Sequence, residues 1–506
     1  MIFKIVFYVF CYISSHFIYV NTLTLNRSQL EDWFPDISNR SELNLFSREI
    51  DSIEINSFSG LSQLKSLDLS FNKFNTSFDE LIFSGLTNLE RLDLMGNYLV
   101  LEPSLFKGLT NLKYLDLEYS YGYWPSSPLF IEISNLRVLF LSRKSFYTLE
   151  SVLFEGLNNL EELYLYDSGI NVINSNSFNN LINLKILDLN YNSILTVDAL
   201  TFEKVSKLEK LTLIANNLAI LDAKVFNGLT QLKYLNLNEN FLNSLESQLF
   251  ADLSQLNELH LDYNGITSLD SNIFKDLFQL QKLSLSGNQL FILDSSIFNG
   301  LTKLEHLNLN ENPITSLNSS LFSPIKQLKS LALFENNLNG IESSLFVGMT
   351  QLEYLSLSLN QLKTLDASLF KDLIELKELN LFHNQITSLD INIFKSLNQL
   401  EELAIFNNQL SNLEEFVFKN LAKLKRLDLS SNQLTSIKPS MFAGLNRLQS
   451  LNLNFNNIIS IDRLAFVGFL NLQSIYLSYN PISVILPSYV KKLCSTNPVC
   501  TIYTKS

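Results

Sequence analysis

The sequence predicts an α/β solenoid, one short unit repeated along almost the whole chain. Three observations predict it. The stretch QLKYLNLNENFLNSLESQLFADL (231–253) carries Leu232, Leu235, Leu237, Asn240, Leu242, Leu245, Phe250 and Leu253, and the same residue types return 24 residues later. A column of 18 phenylalanines follows the same period, from Phe58 and Phe83 through Phe442 to Phe466. The length of 506 residues also exceeds the ~250–300 at which a single core stops growing, a limit an array escapes because each unit buries its apolar face on its neighbours.

In chain order, residues 1–20, MIFKIVFYVFCYISSHFIYV, place one lysine before an apolar run from Ile5 to Ile13, with Ser14, Ser15 and His16 behind it. That order predicts a secretory signal peptide; the alternative is an uncleaved anchor, for which the run is short against a span of ~20 residues. Without this segment the charge becomes 36 minus 50, or -14, and no membrane span is expected in the mature chain. Residues 21–39 read as an N-terminal cap, with Leu23 and Leu25 as a capping strand and Trp33 and Phe34 covering the first unit. The solenoid occupies 40–486. Its units begin at Arg40, Leu64, Leu89, Leu112 and Leu136 and continue every 24 residues to Leu472, 19 in all; only the steps flanking Leu89, of 25 and 23, differ. Residues 487–506 form a short C-terminal cap and tail. There Cys494 and Cys500 predict a local disulfide contributing roughly 2 kcal/mol, with two free thiols as the alternative.

Within a unit the alternation at Leu235 and Leu237 predicts a short strand whose leucines face the core and whose Tyr234, Asn236 and Asn238 face out. Asn240 follows the strand. An amide side chain both donates and accepts, so asparagines stacked at this position can satisfy neighbouring turns. The second half, SLESQLFADL, is expected to cover the outer side as turns or short helical structure around Phe250. A fully buried phenylalanine contributes ~1.5–3 kcal/mol, which makes this column the expected adhesive between units.

The pattern LxxLxLxxNxLxxLxxxxFxxLxxL resembles the extracellular leucine-rich repeat family, of the type in Toll-like and Slit-like ectodomains, from Ser41 to about Leu486. The resemblance implies a horseshoe with a concave parallel β-sheet and a convex side of turns and short helices. At ~4.8 Å per strand, the inner arc would be roughly 85 Å. It also implies a non-catalytic module binding a protein or glycoprotein ligand on the concave face. The contrasting reading is a structural, matrix or adhesion spacer without a discrete site. Asn480-Pro481 resembles the start of a C-terminal cap, but the front end has no cysteine and only Cys494 and Cys500 stand at the back.

With 37 basic and 50 acidic residues the net charge is -13, which argues against nucleic acid and favours a neutral or basic partner. No catalytic constellation and no cofactor site is legible: His260, His306 and His383 fall on different units without a metal-ligand spacing. Sequons at Asn26, Asn39, Asn75 and Asn318 are expected glycan sites in a secreted chain.

The candidate binding residues concentrate in the front third. They are Asp68, Asp93, Tyr98, Tyr114, Asp116, Tyr119, Tyr121, Phe140, Tyr164, Tyr166, Asp167, Asp188 and Tyr191. Tyrosine offers large contact area with a polar tip, and exposed aromatic clusters mark interaction sites. Carboxylates on adjacent strands ~5 Å apart repel one another unless a basic partner intervenes. In the same region Ser120, Lys144 and Ser168 replace the expected asparagine, and YSYGYWPSSPLF replaces the usual turn. These departures read either as a ligand-contact patch or as neutral decay of redundant repeats.

Overall fold

The computed structural model describes residues 22–74, 78–120, 127–466, 468–484, 488, 490 and 501–504. The chain divides into two compact units, one of residues 1–144 with 152–163 and one of 145–151 with 164–506. Both are built from the same turn.

The turn beginning at Leu232 shows the construction. Its strand, Tyr234–Asn236, pairs in parallel with Lys210–Thr212 on one side and Glu258–His260 on the other. Equivalent residues face each other: Leu235 lies opposite Leu211 and Leu259. Leu232, Leu235 and Leu237 are wholly buried, as the alternation requires. In the first unit the same ladder runs from Glu42–Asn44 through Ser66–Asp68, Arg91–Asp93 and Tyr114–Asp116 to Val138–Phe140. In the second it runs from Ile186–Asp188 to Ser474–Tyr476 and on to Thr501–Tyr503. These are open ladders in which each strand pairs with the next turn, so the architecture is a parallel β-solenoid.

Two further columns hold the turns together. The Phe250 ring stacks between Phe226 and Phe274 at 6.3 Å on each side, with planes 11° and 12° apart. Asn240 is 4% exposed; its Nδ2 donates to the carbonyls of Leu213, Leu237 and Asn238, and its Oδ1 accepts from the Leu218 N–H. One buried amide thus satisfies backbone groups of its own and the preceding turn, which would otherwise cost 1–3 kcal/mol each. The same pattern recurs at Asn72, Asn216, Asn264 and on to Asn480.

The residue before the ladder asparagine is left-handed: φ is 53° at Phe71, 56° at Glu239, 52° at Tyr263 and 55° at Tyr479. Glycine would suit this geometry, yet only Gly96 and Gly287 are glycines among the described ladder turns. The reason lies in the turn before. A Cβ on Gly96 would stand 2.7 Å from the Phe71 ring, and one on Gly287 would run into the Tyr263 ring. Tyr263 reaches across Gly287 to donate its hydroxyl to Glu311, two turns away, at 3.1 Å.

At the front, Leu23–Leu25 pairs in parallel with Ile50–Ile53, as expected of a capping strand. A helix follows, Arg27–Trp33, capped by Asn26, whose side chain accepts from the Gln29 N–H at 3.0 Å while Gln29 accepts from the Asn26 N–H at 2.9 Å. The residues closing the core are Leu30 and Ile37, at 0% and 2% exposure. Trp33 and Phe34 do not take that place: they stay half-buried, with Arg48 over Trp33 at 5.2 Å and Arg40 over Phe34 at 4.8 Å. Away from the sheet the turns close through hydrogen-bonded turns and single 3-10 segments such as Ser323–Ile325 and Pro439–Phe442. Arg27–Trp33 is the only α-helix among the described residues with assigned bounds; the short helical structure expected on the outer side is of the 3-10 kind, between turns.

The asparagine column breaks where expected. Ser120 Oγ reaches only the carbonyls of Leu94 and Glu118, at 3.2 and 3.4 Å. Lys144 is 8% exposed and its Nζ donates to the Ser120 carbonyl at 2.7 Å. Burial pushes the Lys144 ammonium down to about 7, with Asp116 opposing.

Candidate ligand-binding face

In the first unit the sheet brings Asn44, Asp68, Asp93, Asp116 and Phe140 into one register row. The carboxylates share a local task. Asp68 Oδ1 accepts from the Ser70 N–H, Asp93 Oδ1 from Met95 and Asp116 Oδ1 from Glu118, each two residues on. Asn44, Asn236, Asn308 and Asn452 do the same with amide oxygens. Where this position holds Asp or Asn, either one supplies a short acceptor that closes the strand end, while Phe140 and Ala332 occupy it without one.

Charge is added on top of that role. Burial pushes the Asp93 carboxyl up, with Asp68 adding to the effect against the Met95 N–H and Arg91. Asp116, 6% exposed, is raised to about 7, chiefly by burial and further by Asp93. Arg91, in the adjacent row with Ser66 and Tyr114, reaches this one: its guanidinium is 3.3 Å from Asp93 Oδ2 and 3.5 Å over the Tyr114 ring. Tyr114 lies 5.3 Å from Phe140, and burial, then Asp116, pushes its hydroxyl up to about 12. Tyr119 is covered by Arg143 at 4.4 Å. The expected acidic and aromatic residues do come together here, already partly matched by the protein's own arginines. Tyr98 stands apart: it follows the ladder Asn97, beyond the strand, and is 55% exposed. Tyr121 lies outside the described residues.

The remaining candidates belong to the second unit. Tyr164 ends the strand Glu162–Tyr164. The Tyr166 and Tyr191 rings are 5.0 Å apart, while Asp167 and Tyr191 hold the left-handed position with φ of 50° and 57°. Asp188 Oδ1 accepts from the Asn190 N–H at 2.9 Å, another strand-end acceptor, with its carboxyl pushed up by burial. Of the sequons, Asn26 is engaged as the helix cap, Asn39 is exposed, and Asn318 is exposed with Oδ1 accepting from Ser320. Asn75, Cys494, Cys500 and residues 1–20 lie outside the described residues.

Three features of the face were not singled out from sequence. Phe382 and Phe406 stack at 4.4 Å, and Phe334 lies 6.3 Å from Phe382 across the turn that carries the fully buried Ser358. Their spacing of 24 and 48 is visible in the sequence at the position two before the ladder asparagine. Second, a depression of about 370 Å³ opens between His260, Lys282 and His306. Third, a charged stripe flanks the sheet: Glu305 with Lys329 at 2.9 Å, Glu353 with Lys377 at 2.7 Å and Glu401 with Lys425 at 2.6 Å. Among the described residues no group of three metal-ligating side chains occurs, and no helix is long and apolar enough to cross a membrane.

Stacked 24-residue parallel turns, with an asparagine ladder and a phenylalanine column, define a repeat solenoid, and each unit presents a sheet face. The leucine-rich repeat model matches residues 38–99, 134–194, 159–218, 182–242, 326–386, 357–410, 398–458 and 447–493, and that of the BspA-type leucine-rich repeat region matches 219–353. The chain belongs to the leucine-rich repeat family. Among solved structures it is similar to a leucine-rich repeat protein of Leptospira interrogans, at 25% identity over 96% of this chain and 100% of that one, with a TM-score of 0.60. It is also similar to a chain of the Toll–Spatzle complex of Drosophila, at 21% identity over 95% of this chain and 63% of that one, with a TM-score of 0.72. The APL1 leucine-rich repeat domain is 22% identical over 71% of this chain and 83% of that one, with a TM-score of 0.51. No curated protein matches the chain.

Proposed function

We propose that the chain is a secreted recognition module that binds a protein or glycoprotein partner, neutral or basic, through its sheet face and without catalysis. The observation carrying this reading is the division of labour within each turn. Leucines, phenylalanines and ladder asparagines recur because the fold needs them, whereas the outward strand positions change freely, as in Arg91, Tyr114 and Val138 on consecutive strands. A rigid scaffold with a variable outer row is what specific recognition of a macromolecule requires. The likeness in fold to a chain of the Toll–Spatzle complex supports a protein partner, and the signal-like segment 1–20 supports secretion.

The test uses the strand-end equivalence of Asp and Asn. Replacing Asp68, Asp93 and Asp116 together by Asn keeps the three backbone acceptors and removes three charges. The full chain, expressed with its own first 20 residues in secreting cells, should reach the medium and be captured with its partner by cross-linking in its native fluid. The triple variant should reach the medium equally and lose that partner at least about tenfold. Retention in the membrane fraction refutes secretion. Undiminished capture refutes the first unit's face as the contact and leaves the spacer reading.

A further inference from the structure

We propose that the depression between His260, Lys282 and His306 on the second unit's face binds a carboxylate side chain of a protein partner. This rests on the reading of the sheet face as the recognition surface and adds a second contact of opposite sign to the acidic row.

The chain has 50 acidic residues, yet none lines this depression. Its rim carries His260, Lys282, His306, Asn308 and Asn310 with the hydroxyls of Ser284 and Ser330, and its floor is Ala332, the side chains of Leu283 and Leu307 turning into the core at 1% and 2% exposure. The asparagine acceptors are already used. Asn308 Oδ1 accepts from the Asn310 N–H at 3.1 Å, and Asn310 Oδ1 accepts from the Phe334 N–H of the next turn at 2.7 Å. What both amides leave for a ligand is N–H. Among the described residues nothing hydrogen-bonds the His306 ring or either Nδ2 group.

The nearest carboxylates are each committed. Glu258 bridges Lys282 Nζ at 2.9 Å and His260 Nε2 at 3.4 Å. Asp262 accepts from the Ser286 N–H at 2.8 Å, from Asn238 Nδ2 at 3.0 Å and from the Ser284 hydroxyl. Glu305 pairs with Lys329, and Glu311 accepts from Tyr263. Glu258 offsets one positive charge, but the depression still presents donors on several sides and accepting groups on few.

The floor selects the source of the anion. The half-buried Ala332 methyl suits the methylenes of a glutamate, whose carboxylate then meets the rim. A polyanion such as a sulfated glycan needs more than one lysine and two imidazoles to offset the repulsion of a chain carrying -13.

The chain holds only four histidines, so the intact protein labelled with carbon-13 histidine reports the site directly, with His383 as an internal control. Acetyl-Gly-Glu-Gly-amide should shift the His260 and His306 signals saturably, in the ~1–10 mM range of a single side-chain contact, and leave His383 in place. The glutamine analogue should not, and Lys282→Gln should weaken the effect about tenfold, the worth of one charge-assisted hydrogen bond. Equal shifts with the glutamine peptide, or no saturable shift, overturn the proposal. Inorganic sulfate moving both histidines at lower concentration than the glutamate peptide overturns the side-chain source. Partner capture that survives Lys282→Gln while depending on Asp68, Asp93 and Asp116 overturns this site and leaves the sheet-face reading intact.

Discussion

Asn240 shows how much one side chain carries in this fold. Its amide satisfies four backbone groups, so Asn240→Ala leaves buried donors and acceptors without partners. A loss of about 2–3 kcal/mol is expected, read as a fall in the urea midpoint. Asp116 makes the opposite case. Its carboxyl is raised to about 7 above the ordinary 3.8. The unfolded chain therefore releases that proton more readily, and the Asp116 contribution to stability is full below pH ~4 and lost as pH rises toward 7. Asp116→Asn keeps the acceptor for the Glu118 N–H and removes the charge. It should stabilise the protein by about 1–3 kcal/mol at pH 8 and have little effect at pH 4, measured by denaturant unfolding at both. The sequence showed three aspartates in a row; it did not show that each carboxylate turns back to its own backbone. One-letter spacing places a residue in a row, and only the path of the chain shows where its acceptor atoms point.

At the scale of the element, the strands were legible because each is fixed by its own leucine pair and by 24-residue translation, as at Leu235 and Leu259. The last strand was not. Thr501–Tyr503 lacks the unit's pattern, yet it extends the sheet, with the Thr501 N–H donating to the Gln473 carbonyl at 2.8 Å and its Tyr503 carbonyl accepting from Leu477 at 2.9 Å. The Tyr476 and Tyr503 rings stack at 4.5 Å. What the sequence did not signal is that a segment without the unit's leucines can still extend the sheet: Ile502 takes the register position of Leu451 and Ile475. Truncation after Cys500 should leave the earlier turns folded and speed amide exchange at Leu477 at least tenfold, with Leu235 unchanged. The front cap was legible in its strand, Leu23–Leu25, and not in the side chains that close the core behind it. Trp33 and Phe34 are large, but the helix turns Leu30 inward, and the rings are left to the arginines.

For the molecule as a whole, the alternating stripe Glu305, Lys329, Glu353, Lys377, Glu401, Lys425 runs over six consecutive turns and ties them two by two through three ion pairs. Each pair is exposed and weak in water. Glu353→Lys places like charges on three turns in succession, so the unfolding temperature should fall at low salt. The deficit should shrink in about 1 M sodium chloride, where charges are screened beyond ~3 Å. The alternation also gives the array a parity. A gene duplication that copies one turn within this run would set lysine beside lysine or glutamate beside glutamate, whereas copying two turns restores the sequence of signs. A solenoid built this way can lengthen in pairs more easily than singly, so the stripe that steadies the protein also constrains the steps by which it could have grown.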